Sequence, residues 1–142
     1  MWTLWEVEGT LGSIIEVLPT IENIITPPEL TATADDYDPT EGLIVFSTSN
    51  VTMVRQRIDS NNRAITGLVA PAAGVNRIVY INNLWVSGGT DDIKFMENDS
   101  GSTAANRFLL RDNADKSIKP NETAGFWYDH TSARWRPITR VG

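Results

Sequence analysis

From Leu43 to Ile138 the chain is cut about every 10 residues by small polar turns into short segments of alternating apolar and polar side chains, and this rhythm constrains the fold more than any other feature. The segments are Leu43–Ser47, Thr52–Ile58, Ala64–Leu68, Arg77–Asn82, Asp92–Glu97, Arg107–Leu110, Lys116–Lys119, Thr123–Tyr128 and Arg134–Ile138. Each has the length of a strand, and alternation sends successive side chains to opposite faces. Between them lie Ser60-Asn-Asn62, Ala72-Ala-Gly74, Ser87-Gly-Gly89, Arg111-Asp-Asn113, Pro120-Asn121 and Asp129-His-Thr131, all turn-forming compositions read as hairpins. With no helices to carry parallel crossovers, the expectation is an all-β, antiparallel β-sandwich or jelly-roll-like body. No internal repeat is legible. Arg77-Ile-Val-Tyr-Ile81 is apolar on both faces, as in a central strand covered on both sides, with a second copy of the chain as one potential cover.

Charge divides the chain in two. Residues 1–42 hold nine acidic residues and no Lys or Arg, whereas residues 43–142 hold nine acids and twelve bases. The expected organisation is therefore an extended acidic N-terminal arm and linker over 1–42 and a β body over 43–142, the arm meeting something basic. Trp2, Leu4, Trp5 and Val7 form an apolar cluster too short to make a core, so it must pack on another surface. Residues 14–25 place Ile14, Leu18, Ile21 and Ile25 at helical spacing behind a Ser13/Glu16 capping box. Pro19 and the β-branched content favour an extended arm or two short strands, with one helical turn as the alternative. Thr26-Pro-Pro-Glu29 and Asp35–Gly42 read as a stiff, turn-rich link.

With 142 residues, 41% hydrophobic and 21% charged, the composition is that of one globular domain plus an arm. The absence of cysteine removes disulfides, thiolate nucleophiles and cysteine-held zinc. The N-terminal residues carry neither a positive n-region nor an apolar h-region, and no run reaches the roughly 20 apolar residues of a membrane span; neither a secretory signal nor membrane insertion is expected. Three Asn-x-Ser/Thr triplets, at Asn50, Asn98 and Asn121, are read as turn chemistry.

Candidate chemistry is sparse. The single histidine, His130, lies on a turn tip beside Asp129, with nothing to orient it as a base, so no catalytic residue is assigned. A carboxylate-pair hydrolase is not excluded by motif, but no pair is recommended. Asp36-Tyr-Asp-Pro-Thr-Glu-Gly42 begins like a calcium loop. It departs at the sixth and twelfth positions, Glu41 and Ser47 where Gly and Glu are required, and Asx-turn capping is the reading. No phosphate loop precedes a helix, and a net charge of −6 disfavours nucleic acid. No cofactor or metal is assigned. Among the five tryptophans, Trp127 and Trp135 are expected in the core or at contacts between copies or with the arm, together with Arg134, Arg136 and Arg140. Trp85, beside Ser87-Gly-Gly89, is the candidate for an exposed ligand contact.

The stretch 64–135 carries Ala64-Ile-Thr-Gly-Leu68, Arg77-Ile-Val-Tyr-Ile-Asn82, Asn98-Asp-Ser-Gly-Ser-Thr-Ala-Ala-Asn-Arg-Phe108, Phe126-Trp-Tyr-Asp129 and Arg134-Trp135. In these residues it resembles a small β-rich domain of structural proteins of tailed bacteriophages, found in tail fibres and in capsid decoration or head-fibre proteins. The resemblance covers about half the chain, excludes the arm, and is interrupted at Leu84-Trp85-Val86, where a smaller residue is the family's habit. It implies a non-enzymatic homotrimer on the virion, made in the host cytoplasm and attached by its N-terminal segment. The expected function is capsid decoration, or cement, on the outer surface of the head, with the major capsid protein as partner. The arm residues Trp2, Leu4, Trp5, Glu6, Glu8 and Glu16 would dock it. The short length of the chain favours this over the alternative, a short tail fibre or tail-tip component binding host surface glycan. Neither nucleic acid nor membrane is an expected partner.

Overall fold

A computed structural model of the chain describes residues 23–84 and 89–138. Among the described residues the protein is all-β, with isolated 3-10 turns besides its strands. Five strands form one sheet: β1 (Ile24–Ile25), β2 (Met53–Gln56), β4 (Ile78–Asn83), β7 (Thr123–Asp129) and β8 (Arg134–Pro137), in that spatial order. Three form the other: β3 (Arg63–Ile65), β5 (Ile93–Phe95) and β6 (Lys116–Ile118).

Both sheets are mixed, which corrects the antiparallel expectation. β1 with β2, β2 with β4, and β3 with β5 are parallel pairs; β4 with β7, β7 with β8, and β5 with β6 are antiparallel. The physical reason is the route of the chain. A parallel neighbour needs a crossover, and here the crossover is a strand of the opposite sheet in place of a helix. β3 lies between β2 and β4 in sequence, and β4 lies between β3 and β5. Met53 accordingly stands opposite both Ile24 and Tyr80, and Arg63 opposite Ile93. Single parallel bridges Leu30–Ile58, Ala34–Ile65 and Tyr37–Leu68 extend the same stacking. Three successive passes thus lie in register, a structural repeat of roughly thirty residues without a repeated sequence.

Ahead of Gly42, Ile24–Ile25 pairs with β2, and Leu30, Ala34 and Tyr37 form single bridges to the body. Tyr37 is buried in the core, and Leu30 and Ala34 pack against it. Two expected strands take another form. Leu43–Ser47 is a turn leading into a 3-10 turn at Phe46–Thr48, where Phe46 is buried but Leu43 is 88% exposed. An Asx turn, with Asp38 Oδ1 accepting from the Thr40 N–H at 2.8 Å, and left-handed Glu41 and Gly42 prevent this run from extending as a strand. Arg107–Leu110 is extended but pairs through single bridges: Arg107 with Gly67, and Phe108 with both Glu97 and Trp135. It joins the edge strand β8 of one sheet to the chain just beyond β3 and β5 of the other.

Inward-facing residues of both sheets share one core. Phe95 of β5 meets Phe126 of β7 edge-on with ring centroids 4.9 Å apart, and Phe108 closes the trio at 5.5 Å and 4.8 Å from these two rings. Such edge contacts add stability beyond the apolar area they bury. Trp135 is fully buried beside Tyr128, and its indole N–H donates to the Leu68 carbonyl at 2.7 Å.

Candidate functional site

The Asn98–Phe108 motif folds as an internal clamp. The Ser102 hydroxyl accepts from the Asp36 N–H at 2.7 Å and lies 2.7 Å from the Thr66 hydroxyl. Asp36 Oδ1 accepts from the Thr103 N–H at 2.7 Å and the Asn106 amide at 2.8 Å; its other oxygen accepts from the Thr103 hydroxyl. Burial disfavours the Asp36 carboxylate, but hydrogen bonds from Asn106, Thr103 and Ser102 outweigh it and hold its pKa below the usual carboxylate range. Gly67 is required where the clamp closes, since a Cβ there would lie 2.6 Å from the Asn106 carbonyl oxygen and the Ser102 hydroxyl. The motif that dominates the sequence thus ties three loops together, both oxygens of Asp36 being occupied from within the chain.

His130 projects from the β7–β8 turn, is exposed, and has its Nε2 2.8 Å from the Val75 carbonyl. No serine or threonine hydroxyl among the described residues is hydrogen-bonded to it. Among the described residues no three His, Asp or Glu side chains converge, and no helix is long and apolar enough to cross a membrane.

The outer face of the five-stranded sheet has a different character. Directly opposed residues project from the same face of a sheet, so register sorts this face into rows. One row runs Ile24, Met53, Tyr80, Gly125, with Ile138 beyond, its N–H bonded to the Gly125 carbonyl. The next runs Ile78, Trp127, Arg136. On the other side Arg55 reaches Thr26 and Asn82 reaches Thr123 in a polar row. Ile24, Ile78, Trp127 and Ile138 are 56%, 48%, 41% and 40% exposed, and they lie along these adjoining rows. Contiguous exposed apolar area of this kind marks interaction surfaces, whereas scattered single residues do not.

At one end of this face the surface deepens into an open groove of about 810 Å³ floored by Ile78, Tyr80, Trp127 and Ile138 and walled by Asn50 and Asn76. Arg77 also lines it. This arginine is only 6% exposed, and its guanidinium donates to the Phe46 carbonyl at 2.6 Å and the Val51 carbonyl at 2.8 Å while stacking 4.5 Å over the Phe46 ring. Among the described residues no carboxylate pairs with it, and burial alone draws its pKa below the usual arginine range.

Of the residues singled out in the sequence, Trp127 lies on the exposed face at the groove. Trp135 takes the core position of the two expected for it: its neighbours along the strand face outward, and alternation sends it inward. Arg136 bonds Asp129 at 2.8 Å, and Arg134 folds back on the Ala133 carbonyl with its Nε buried and without a partner among the described residues. Trp2, Leu4, Trp5, Glu6, Glu8, Glu16, Trp85 and Arg140 lie outside the described residues. Sequence reasoning missed Ile78, Tyr80 and Arg77 as surface determinants. The signal is present in Arg77-Ile-Val-Tyr-Ile81, whose apolar outer face reads as covered when only the sequence is considered. No protein-family model, no curated protein and no solved structure matches this chain.

Proposed function

We propose that this chain is a non-enzymatic virion structural protein of the capsid-decoration class, acting as a homotrimer on the outer surface of the head. The two sheets are read as layers of a small sandwich-like body that presents contact surface, and the N-terminal segment, with Trp2, Leu4, Trp5, Glu6, Glu8 and Glu16, as its anchor to the major capsid protein. The observation that carries this reading is the contiguous apolar outer face around Ile78 and Trp127, a surface suited to protein contact. Its chemistry requires no reaction: a copy that binds only the assembled shell stabilises that shell by mass action.

The test is particle binding. Removing residues 2–22 spares β1, so the truncated protein should remain folded and oligomeric yet no longer decorate purified particles. Retained binding would remove the arm as anchor. Labelled protein should occur in many copies over the head; a few copies confined to the tail would replace decoration with adhesion.

A further inference from the structure

We infer that the outer-face groove is the docking site for this chain's own residues 2–8, Trp-Thr-Leu-Trp-Glu-Val-Glu, held in cis in the unassembled protein.

Three observations converge on that occupant. The first is where the N-terminal segment leaves the sheet. Asn23, the first described residue, accepts through its carbonyl from the N–H groups of Thr52 and Met53 at 2.9 and 3.0 Å, and Thr52 lines the groove. β1 is parallel to β2 and β4, so the direction preceding Ile24 is the direction from Met53 back towards Asn50 and from Tyr80 back towards Asn76. Those are the groove walls. The segment thus departs at the groove's rim, and the residues between 8 and 23 could span roughly 50 Å when extended, far more than is needed.

The second is the chemistry of the floor. Ile78, Tyr80, Trp127 and Ile138 present apolar and aromatic surface to solvent. Trp2, Leu4, Trp5 and Val7 are the cluster that carries the aromatic residues of the N-terminal segment, and it is too short to make a core of its own. Burying them there removes apolar area from water on both partners.

The third is Arg77. A guanidinium this deeply buried is costly without a counter-charge, and carbonyl dipoles and the Phe46 ring offset only part of that cost. It lines the groove at whose rim the N-terminal segment departs, and residues 1–22 carry Glu6, Glu8, Glu16 and Glu22 and no basic residue. An acidic, aromatic segment matches an apolar floor with a buried cation beneath it. Tethering decides between this chain and another copy, since attachment at Asn23 gives the segment an effective concentration in the millimolar range. The consequence for assembly rests on the decoration reading: particle surface would compete with the groove, so anchor and contact face would be uncovered together. The docking itself does not rest on that reading.

The absence of native cysteine allows a direct test on the free, full-length protein. Val7→Cys with Asn76→Cys should close an intrachain disulfide under mild oxidation, seen as a shifted monomer on a non-reducing gel. Val7→Cys with Ser60→Cys, at the far end of the β2 run, is the control pair. The groove pair should close at least about tenfold faster than the control. Equal rates, or predominantly interchain dimers, would overturn docking in cis, whatever the protein does on particles. Circular dichroism of both reduced pairs, matching the parent, confirms that folding is intact. Adding Glu6→Gln and Glu8→Gln should slow closure several-fold at low salt and little at high salt; an unchanged rate would remove Arg77 from the recognition.

Discussion

The ring of Tyr80 lies against the backbone of Gly125 on the neighbouring strand, so closely that a Cβ at Gly125 would sit 2.6 Å from the ring's Cε1 and 2.8 Å from its Cδ1. These residues are directly opposed in the β4–β7 ladder. The glycine lets an aromatic ring lie flat on the sheet, and the ring covers a backbone that glycine would otherwise leave bare. Gly125→Ala should lift Tyr80 off the sheet and, because the half-exposed ring can move into solvent, cost about 1 kcal/mol or less. Thermal melting of Gly125→Ala, Tyr80→Ala and the double variant tests this. Tyr80→Ala should cost much less when Gly125→Ala is already present than in the parent; strict additivity would show that the two do not share one space.

The Asp36 clamp gives stability a definite acid limb. Its folded pKa is depressed, so its contribution is present above the unfolded carboxylate range and is lost as pH falls through the lower folded value. Asp59, bonded chiefly by Arg63, and Asp129, bonded chiefly by Ser132, are shifted in the same direction. Denaturant midpoints should therefore fall on acidification below about pH 4. Asp36→Asn tolerates the left-handed backbone at this position but sets an amide donor against those of Asn106 or Thr103. It should be destabilising at pH 7, with the deficit shrinking towards zero as acidification protonates the parent's carboxyl. A deficit that is constant from neutral pH into the acid limb would show that Asp36 acts by shape and not by charge.

Seven of the nine expected segments contain strands, because alternation of buried and exposed side chains follows directly from the pleat. Leu43-Ile-Val-Phe46 misleads because composition alone does not show that Asp38, Thr40 and Gly42 have already committed the chain to a turn. Partner and direction were not legible. Ser60-Asn-Asn62 and Ala72-Ala-Gly74 do mark turns, but the chain passes there into the opposite sheet and not back along its own strand. Among the described residues only Asp129–Ala133 joins sequential strands of one sheet as a tight hairpin. The face at Ile78 was visible as sequence but ambiguous, since an apolar outer row looks the same whether covered or bare. Asn98–Phe108 stood out for its small polar residues, and their use proved to be hydrogen bonding to Asp36 and Thr66, partners more than thirty residues away.

The corner formed by Gln56 and Asn83 should be among the most sensitive polar positions. The two are register partners, 0% and 2% exposed. Gln56 accepts from the Tyr37 hydroxyl and donates to the Pro28 and Arg57 carbonyls, while Asn83 donates to the Asp91 and Ile118 carbonyls. Gln56→Leu keeps the volume but strands the buried Tyr37 hydroxyl and the Pro28 carbonyl, the Arg57 carbonyl keeping its bond from the Leu30 N–H, and should cost about 1–3 kcal/mol. Tyr37→Phe alone should cost about 1 kcal/mol, and adding it to Gln56→Leu should cost less than the sum, because the orphaned hydroxyl is gone. Chemical denaturation of the four proteins decides; a double variant at or above the sum would break the assigned bond.

Arg77 holds the groove end of the sheet by a geometry that lysine cannot reproduce. Its planar fork divides two donors between the Phe46 and Val51 carbonyls, and its flat face stacks on the Phe46 ring. Lysine would keep the positive charge but lose the fork and the stacking plane. Arg77→Lys should therefore lower stability by about 1–3 kcal/mol. Arg77→Met separates charge from hydrogen bonding: it keeps an apolar stem against Phe46, leaves the Val51 carbonyl unserved while the Phe46 carbonyl keeps its bond from the Ser49 N–H, and removes a buried cation. If the fork dominates, both variants should be destabilised to a similar degree. If the charge dominates, Arg77→Met should be the more stable of the two and could match the parent. Residues 2–8 would change this balance by bringing Glu6 and Glu8 near the guanidinium. Removing residues 2–22 should then shift the preference towards Arg77→Met, and melting curves of Arg77→Met and Arg77→Lys, each with and without the segment, would show it.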